Sequence, residues 1–169
     1  LHRSALLDFD TLVERYRQPL TRAAYHLCGN REAAFDIVQD TLLDAYKGIE
    51  SIREPEKAGA WLFAILRRKA LTYNHLHGAE LELLEEPVIP GPGDADSIVR
   101  EIFVERMSKL PEEDREILAG KYMLGLSYQE LAESLGIKEG TVRVRCLRAK
   151  EKLRSLLSGV GVEAPGRRG

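Results

Sequence analysis

The stretch whose reading decides the fold is LPEEDREILAGKYMLGLSYQELAESLGIKEGTVRVRCLRAKEKLRSLL, residues 110–157. In its middle, Ser127 is followed three residues later by Glu130. That spacing is a capping box, and it predicts a helix from Tyr128 that turns Leu131, Ala132 and Leu135 toward a core. Gly136 ends this helix. After the turn residue Ile137, the apolar residues Val142, Cys146, Ala149 and Leu153 recur at spacings of four, three and four, which makes one buried stripe on a second helix. The outward side of that helix carries Gly140, Arg143, Val144, Leu147 and Arg148, and Arg145, Lys150, Lys152 and Arg154 extend its positive charge. Two short amphipathic helices across a glycine turn form a helix-turn-helix, whose second helix reads base edges in the major groove. Arginine pairs bidentately with guanine there, whereas flanking lysines grip phosphate.

A solvated basic surface helix would share this amphipathicity. The concentration of charge favours nucleic acid instead. Between Lys138 and Arg154, seven basic residues face only Glu139 and Glu151, a local net charge of +5 within a chain whose net charge is -2. Affinity for DNA rests largely on neutralised phosphates and released counterions, so a near-neutral chain binds promoter-length DNA weakly by itself. If this chain reads DNA, something else holds it there.

A length of 169 residues admits one large domain or two small ones, and 44% hydrophobic with 31% charged residues is the composition of a soluble globular protein. The apolar runs are only a few residues long and no signal-peptide core opens the chain, so a cytoplasmic location without membrane insertion is expected. The chain begins at Leu1 rather than Met, as a sequence trimmed at its start does. Cys28 and Cys146 fall in apolar helical phases, as buried thiols do. His26 with Cys28, and His75 with His77, lack the paired spacing of a zinc finger, so neither a metal nor a cofactor is expected. A phosphate loop and a nucleophile beside a base are also missing, which argues against an enzyme.

Residues 78–97, GAELELLEEPVIPGPGDADS, interrupt the helical pattern with Gly78, Pro87, Pro90, Gly91, Pro92 and Gly93. They carry Glu80, Glu82, Glu85, Glu86, Asp94 and Asp96 with no Lys or Arg, and read as a flexible acidic linker. The expected organisation is all-α: a first helical domain over 1–77, the linker over 78–97, a second helical domain over 98–158, and a flexible tail over 159–169. In the first domain, Pro19 is expected to break or kink the opening helix into pieces near 5–17 and 18–28. A second helix, near 31–49, turns Phe35, Val38, Leu42, Ala45 and Ile49 inward. Beside that stripe lie Asp36, Gln39, Asp40, Leu43 and Lys47, a mixed face suited to a partner. A third helix, near 57–77, buries Trp61 and Ile65 with Leu62 and Leu66, and carries the basic run Arg67, Arg68, Lys69. After the linker, a helix near 97–109 leads to Pro111, which suits the first position of the next helix.

Taken together, DIVQDTLLDAY at 36–46, WLFAIL at 61–66 and the helix-turn-helix segment at 110–150 resemble a bacterial sigma factor of the extracytoplasmic-function group, in the sigma-70 family. The first half resembles sigma region 2 and the second region 4, and the short linker leaves no room for a region 3 domain. The resemblance implies a factor that binds core RNA polymerase, directs it to a promoter and helps to open the DNA. By position it implies that Asp36, Gln39, Asp40 and Leu43 contact the β′ clamp helices, with the β flap as a further polymerase contact. It assigns minus-10 recognition to the loop at 51–59 and the helix at 61–73. Where many relatives have Arg-Asn, this chain has Arg67 and Arg68, so Arg67, Arg68 and Lys69 are expected to hold backbone phosphate rather than a base. For the minus-35 element it points to Arg143, Val144, Arg145, Arg148 and Lys150. Val144 stands where relatives frequently have Ser, and an apolar side chain there can touch a thymine methyl but cannot donate a hydrogen bond. Members of the group are usually held inactive by an anti-sigma factor. The segment SYQELAESLGIKEGTVRVR also resembles the output domain of LuxR-type regulators, so a stand-alone transcription regulator is the alternative; it leaves the helix at 36–46 and WLFAIL without a role.

Overall fold

The computed structural model describes residues 7–83 and 95–158. The remainder, including most of the expected linker and the tail over 159–169, lies outside the described residues. Seven α-helices follow in order: α1 Phe9–Cys28, α2 Arg31–Gly48, α3 Ala58–Leu83, α4 Ala95–Met107, α5 Glu112–Leu118, α6 Tyr128–Leu135 and α7 Glu139–Leu157. No strand occurs among the described residues. The architecture is all-α.

Helices α1 to α3 pack around Leu12, Leu20, Ala24, Leu27, Ile37, Val38, Leu62 and Leu66. The first helix is continuous through Pro19, so the expected break does not occur. Proline removes one helical hydrogen bond, to the carbonyl four residues back. That carbonyl belongs to Arg15, on the exposed side, while Leu12, Leu20, Ala23, Ala24 and Leu27 on the buried side hold the helix to its neighbours. Gly29 ends it at φ 70°, and the Asn30 side chain caps α2 by accepting the Ala33 N–H at 3.0 Å.

On α2, Val38 and Ala45 are buried as expected, with Leu42 and Ile49 half-buried. Phe35 departs from the expected stripe, at 56% exposure. The buried face is instead centred on Ala34, Ile37, Val38 and Thr41, which turns Phe35 to the side of Gln39, Leu43 and Tyr46. Helix α3 continues past His77 to Leu83, into the segment expected to begin the linker. Ile65, Leu62 and Leu66 are buried in it. Trp61 is half-buried against the first core, close over Gly48.

The second set of helices, α4 to α7, packs around Met107, Leu110, Ile117, Leu118, Cys146, Ala149, Leu153 and Leu157. Pro111 precedes α5 as its N-cap rather than occupying its first turn. The chain then passes through one π-helical turn, Ala119–Met123. Both halves of the capping box form: the Glu130 N–H donates to Ser127 Oγ at 3.0 Å, and the Ser127 N–H donates to Glu130 Oε1 at 3.2 Å. Gly136 takes φ 66° and closes α6 on the Ala132 carbonyl, a backbone conformation that disfavours a side chain. On α7, Val142, Cys146, Ala149 and Leu153 are all buried, so the four-three-four stripe is the buried face.

A third cluster joins the two sets. Phe63 of α3 is fully buried against Leu126, Leu131, Ala132 and Val142. Gly120 permits this closeness, because a Cβ there would lie 2.5 Å from Leu131 and 3.1 Å from the Phe63 ring. WLFAIL is apolar all round, and a helix apolar on every side is buried on every side. Leu62 and Leu66 fill the first core while Phe63 fills the junction.

Candidate functional site

Three surfaces carry the candidate residues. The first is the outer face of α2, where Asp36, Gln39, Asp40, Leu43 and Lys47 are all exposed. Leu43 at 58% and Tyr46 at 64% join Phe35 as large apolar groups in solvent. Gln39, Leu42, Leu43 and Tyr46, with Phe9 and Val13 of α1, line an open groove of about 370 Å³. Phe9 packs edge-on to Tyr46 at 5.1 Å and forms one wall. An apolar floor between carboxylates suits a protein helix rather than a polyanion, which Asp36 and Asp40 would repel. Phe35 and Tyr46 belong to this face although the sequence reading left them out; Tyr46 lies within DIVQDTLLDAY, and its exposure follows from its spacing of three from Leu43.

The second surface is the outer face of α7. Arg143, Val144, Leu147 and Arg148 are exposed, with Val144 at 49% and Leu147 at 61%. Arg145 and Lys150 are half-buried. Several cations there are already engaged. Arg143 pairs with Glu139 at 2.9 Å and lies over the Tyr128 ring at 4.8 Å. Arg145 reaches Glu113 of α5 at 3.2 Å, and Lys150 sits over Tyr122 at 5.5 Å. Arg148 makes no ion pair among the described residues. Exposed pairs of this kind are weak and exchange readily for phosphate. The arrangement presents Arg148, Val144 and Leu147 outward, with Arg143 held upright by its neighbours.

The third surface is the basic run on α3, and here the structure divides the expected residues. Arg68 is exposed. Lys69 bonds Asp44 of α2 at 2.9 Å and holds that exposed carboxyl below its usual range. Arg67 points to the second set of helices, where its Nε donates to Glu116 Oε2 at 2.7 Å. Burial pushes the Glu116 carboxyl above the ordinary range, and the Arg67 hydrogen bond and charge oppose that shift. The loop at 51–59 contains two short 3₁₀ turns, Ile49–Ser51 and Pro55–Lys57, before α3 begins.

Both cysteines are buried free thiols, and burial raises the pKa of Cys28. His26 is buried, with Nδ1 2.7 Å from the Arg22 carbonyl oxygen and its ring edge-on to Phe103 of α4 at 5.4 Å. It is a packed core histidine.

The described helices match known proteins in the same order. The profile named Sigma-70 region 2 matches residues 12–75, and that named Sigma-70, region 4 matches residues 100–153. The extracytoplasmic-function RNA polymerase sigma factor EcfG of Rhodopseudomonas palustris is 35% identical over 86% of this chain and 83% of its own length. SigW of Bacillus subtilis, of the same group, is 30% identical over 88% of each chain. Among solved structures, the sigma factor RpoE of Bartonella quintana, in complex with the anti-sigma factor NepR, aligns with a TM-score of 0.75 at 28% identity over 92% of this chain and 99% of its own. Neither matched region alone spans enough of the chain for such a superposition, so the two regions sit alike in both proteins. On the order of its helices, the two matched regions and these relatives, the chain belongs to the extracytoplasmic-function group of RNA polymerase sigma factors, in the sigma-70 family.

Proposed function

We propose that this sigma factor binds core RNA polymerase through the outer face of α2 and reads a promoter with two separate surfaces. In this reading Asp36, Gln39, Asp40 and Leu43, with Phe35 and Tyr46 beside them, seat a helix of the β′ clamp. Region 4 engages the β flap. Arg143, Val144, Arg145, Arg148 and Lys150 meet the minus-35 element, while Arg67, Arg68 and Lys69 hold phosphate near the minus-10 element. The working units are residues 1–77, a tether at 78–97, residues 98–158 and a tail at 159–169, acting in the cytoplasm as a specificity factor rather than an enzyme. An anti-sigma factor controls it, as NepR binds RpoE in the complex above.

The observation that carries the reading is the presence, in one chain, of an apolar and acidic face exposed on α2 and a basic face exposed on α7. The first suits a protein partner and the second DNA. Each contact is weak alone, and mounting both on polymerase makes the second effectively intramolecular. The acidic tether discourages binding to free DNA, and replacing its six carboxylates by amides is expected to raise free DNA affinity at low salt.

Run-off transcription with purified core polymerase on a genomic promoter library, with and without the protein, tests the reading. Promoter-selective transcripts that need the protein are expected. Tight promoter binding without polymerase, and no selective transcripts with it, would favour a stand-alone regulator.

A further inference from the structure

Gly59, Phe63 and Arg67 recur every four residues along α3, so they share one face of that helix. All three meet region 4. A Cβ on Gly59 would lie 3.6 Å from Leu126, Phe63 is enclosed by Leu126, Leu131, Ala132 and Val142, and Arg67 is bonded to Glu116. Two contacts extend the junction: His26 of α1 packs on Phe103 of α4, and Arg31 of α2 pairs with Glu101 of α4 at 3.2 Å. Ala119, at the start of the π turn, is itself part of the first core. The two regions therefore meet through an apolar centre rimmed by ion pairs, which resembles the interior of one domain more than a loose contact between two.

We propose that region 4 is an in-cis cover for region 2: the free chain rests closed, with its α7 reading face open to DNA and the Gly59, Phe63 and Arg67 face of α3 withheld until the regions separate on polymerase. This inference rests on the reading of α3 and α7 as the two promoter surfaces. Geometry requires the separation. Helices packed side by side have axes about 8 to 10 Å apart, whereas elements more than one helical turn apart on DNA are separated by over about 34 Å. A closed chain therefore cannot engage both elements of one duplex. The covered side includes one of the candidate phosphate-binding cations, Arg67, already neutralised by a buried carboxylate. The α7 face, with Arg148, Val144 and Leu147 in solvent, is left available. Polymerase binding must then work against closure, and its apparent affinity falls by the fraction of chains that are open. The relative solved with an anti-sigma factor has its two regions set alike, which fits closure as the resting arrangement rather than the promoter-bound one.

Small-angle scattering of the free full-length chain tests closure, using the parent, Glu116→Gln, Glu101→Lys and the double variant, with far-UV circular dichroism to verify helix content. A compact chain of this length has a radius of gyration of about 15 Å, and two domains of about 11 Å each with centres about 40 Å apart give about 23 Å. The parent is expected near the first value and the double variant shifted toward the second. The double variant is also expected to bind core polymerase about fivefold more tightly, as a larger open fraction requires. Glu101→Lys lies on the half-exposed rim and repeats the test without touching the buried site. A parent that is already extended, or a helical double variant with unchanged scattering and unchanged polymerase affinity, would overturn the proposal. Scattering needs no polymerase, so closure can fail while run-off transcription succeeds, and the reverse.

Discussion

Arg67 and Glu116, 49 positions apart, meet at 2.7 Å across the junction of the two regions, and the Glu116 side chain is only 4% exposed. A carboxylate taken out of water depends on its partner. Removing the cation is therefore expected to cost more than removing the charge it neutralises. Arg67→Met should destabilise toward the lower end of the about 3 to 5 kcal/mol seen for broken buried pairs, because the junction can open to hydrate Glu116. Arg67→Met combined with Glu116→Met should recover most of that loss. Chemical denaturation of the two variants and the parent measures it; equal stabilities for the single and double variants would show that the pair is uncoupled.

Phe63 fixes the same junction by packing. Its loss leaves a cavity bounded by Leu126, Leu131, Ala132 and Val142, with the first core intact. Phe63→Ala is expected to cost about 3 to 5 kcal/mol, the usual range for a buried aromatic. Because the ring ties the regions together, urea unfolding should change from one transition to two. A single transition of undiminished midpoint would count against this role.

Helix-scale features were legible where the chain carries local instructions. Ser127 and Glu130 cap α6, Gly136 ends it, and Val142, Cys146, Ala149 and Leu153 mark the buried side of α7, because capping and helical period act over a few residues. Pro19 and Phe35 misled for the opposite reason: continuity of α1 and the rotation of α2 depend on what each helix packs against. Phe63 and Glu116 are the clearest case. Nothing within WLFAIL distinguishes a side chain bound for its own core from one bound for a distant helix, and nothing local in PEEDREIL pairs its Glu with Arg67. The all-round apolarity of WLFAIL was the available sign that a second surface covers α3.

His26 gives the junction a pH dependence. Burial holds its imidazole below the usual range, and it packs on Phe103 across the two regions. The unfolded chain takes up a proton on this group as pH falls through about 6.5, whereas the folded chain does so only at lower pH. Between those values the unfolded state binds more protons, so stability rises with pH there and is level above about 6.5 as far as this group is concerned. The His26 contribution is expected to reach at most about 1.4 kcal/mol per pH unit. His26→Gln should remove that part of the slope; denaturation midpoints from pH 5 to 8 for both proteins provide the check, and parallel curves would exclude the assignment.

Val144 offers the sharpest probe of promoter preference. Its side chain is 49% exposed between Arg143 and Arg145, beside Leu147 at 61%. Such apolar groups on a reading helix have no hydrogen bond to give, and the apolar feature of the major groove is the thymine methyl. Burying one methyl is worth about 0.8 kcal/mol, about fourfold in affinity. Replacing the facing thymine by deoxyuridine, which lacks only that methyl, should weaken holoenzyme binding by about this factor for the parent. The same replacement should leave Val144→Ser unaffected, because serine has little to gain from the methyl. Scanning deoxyuridine through the minus-35 element with both proteins locates the base: one position must be sensitive in the parent and insensitive in the variant. Equal sensitivity of the two proteins at every thymine would remove Val144 from the reading surface.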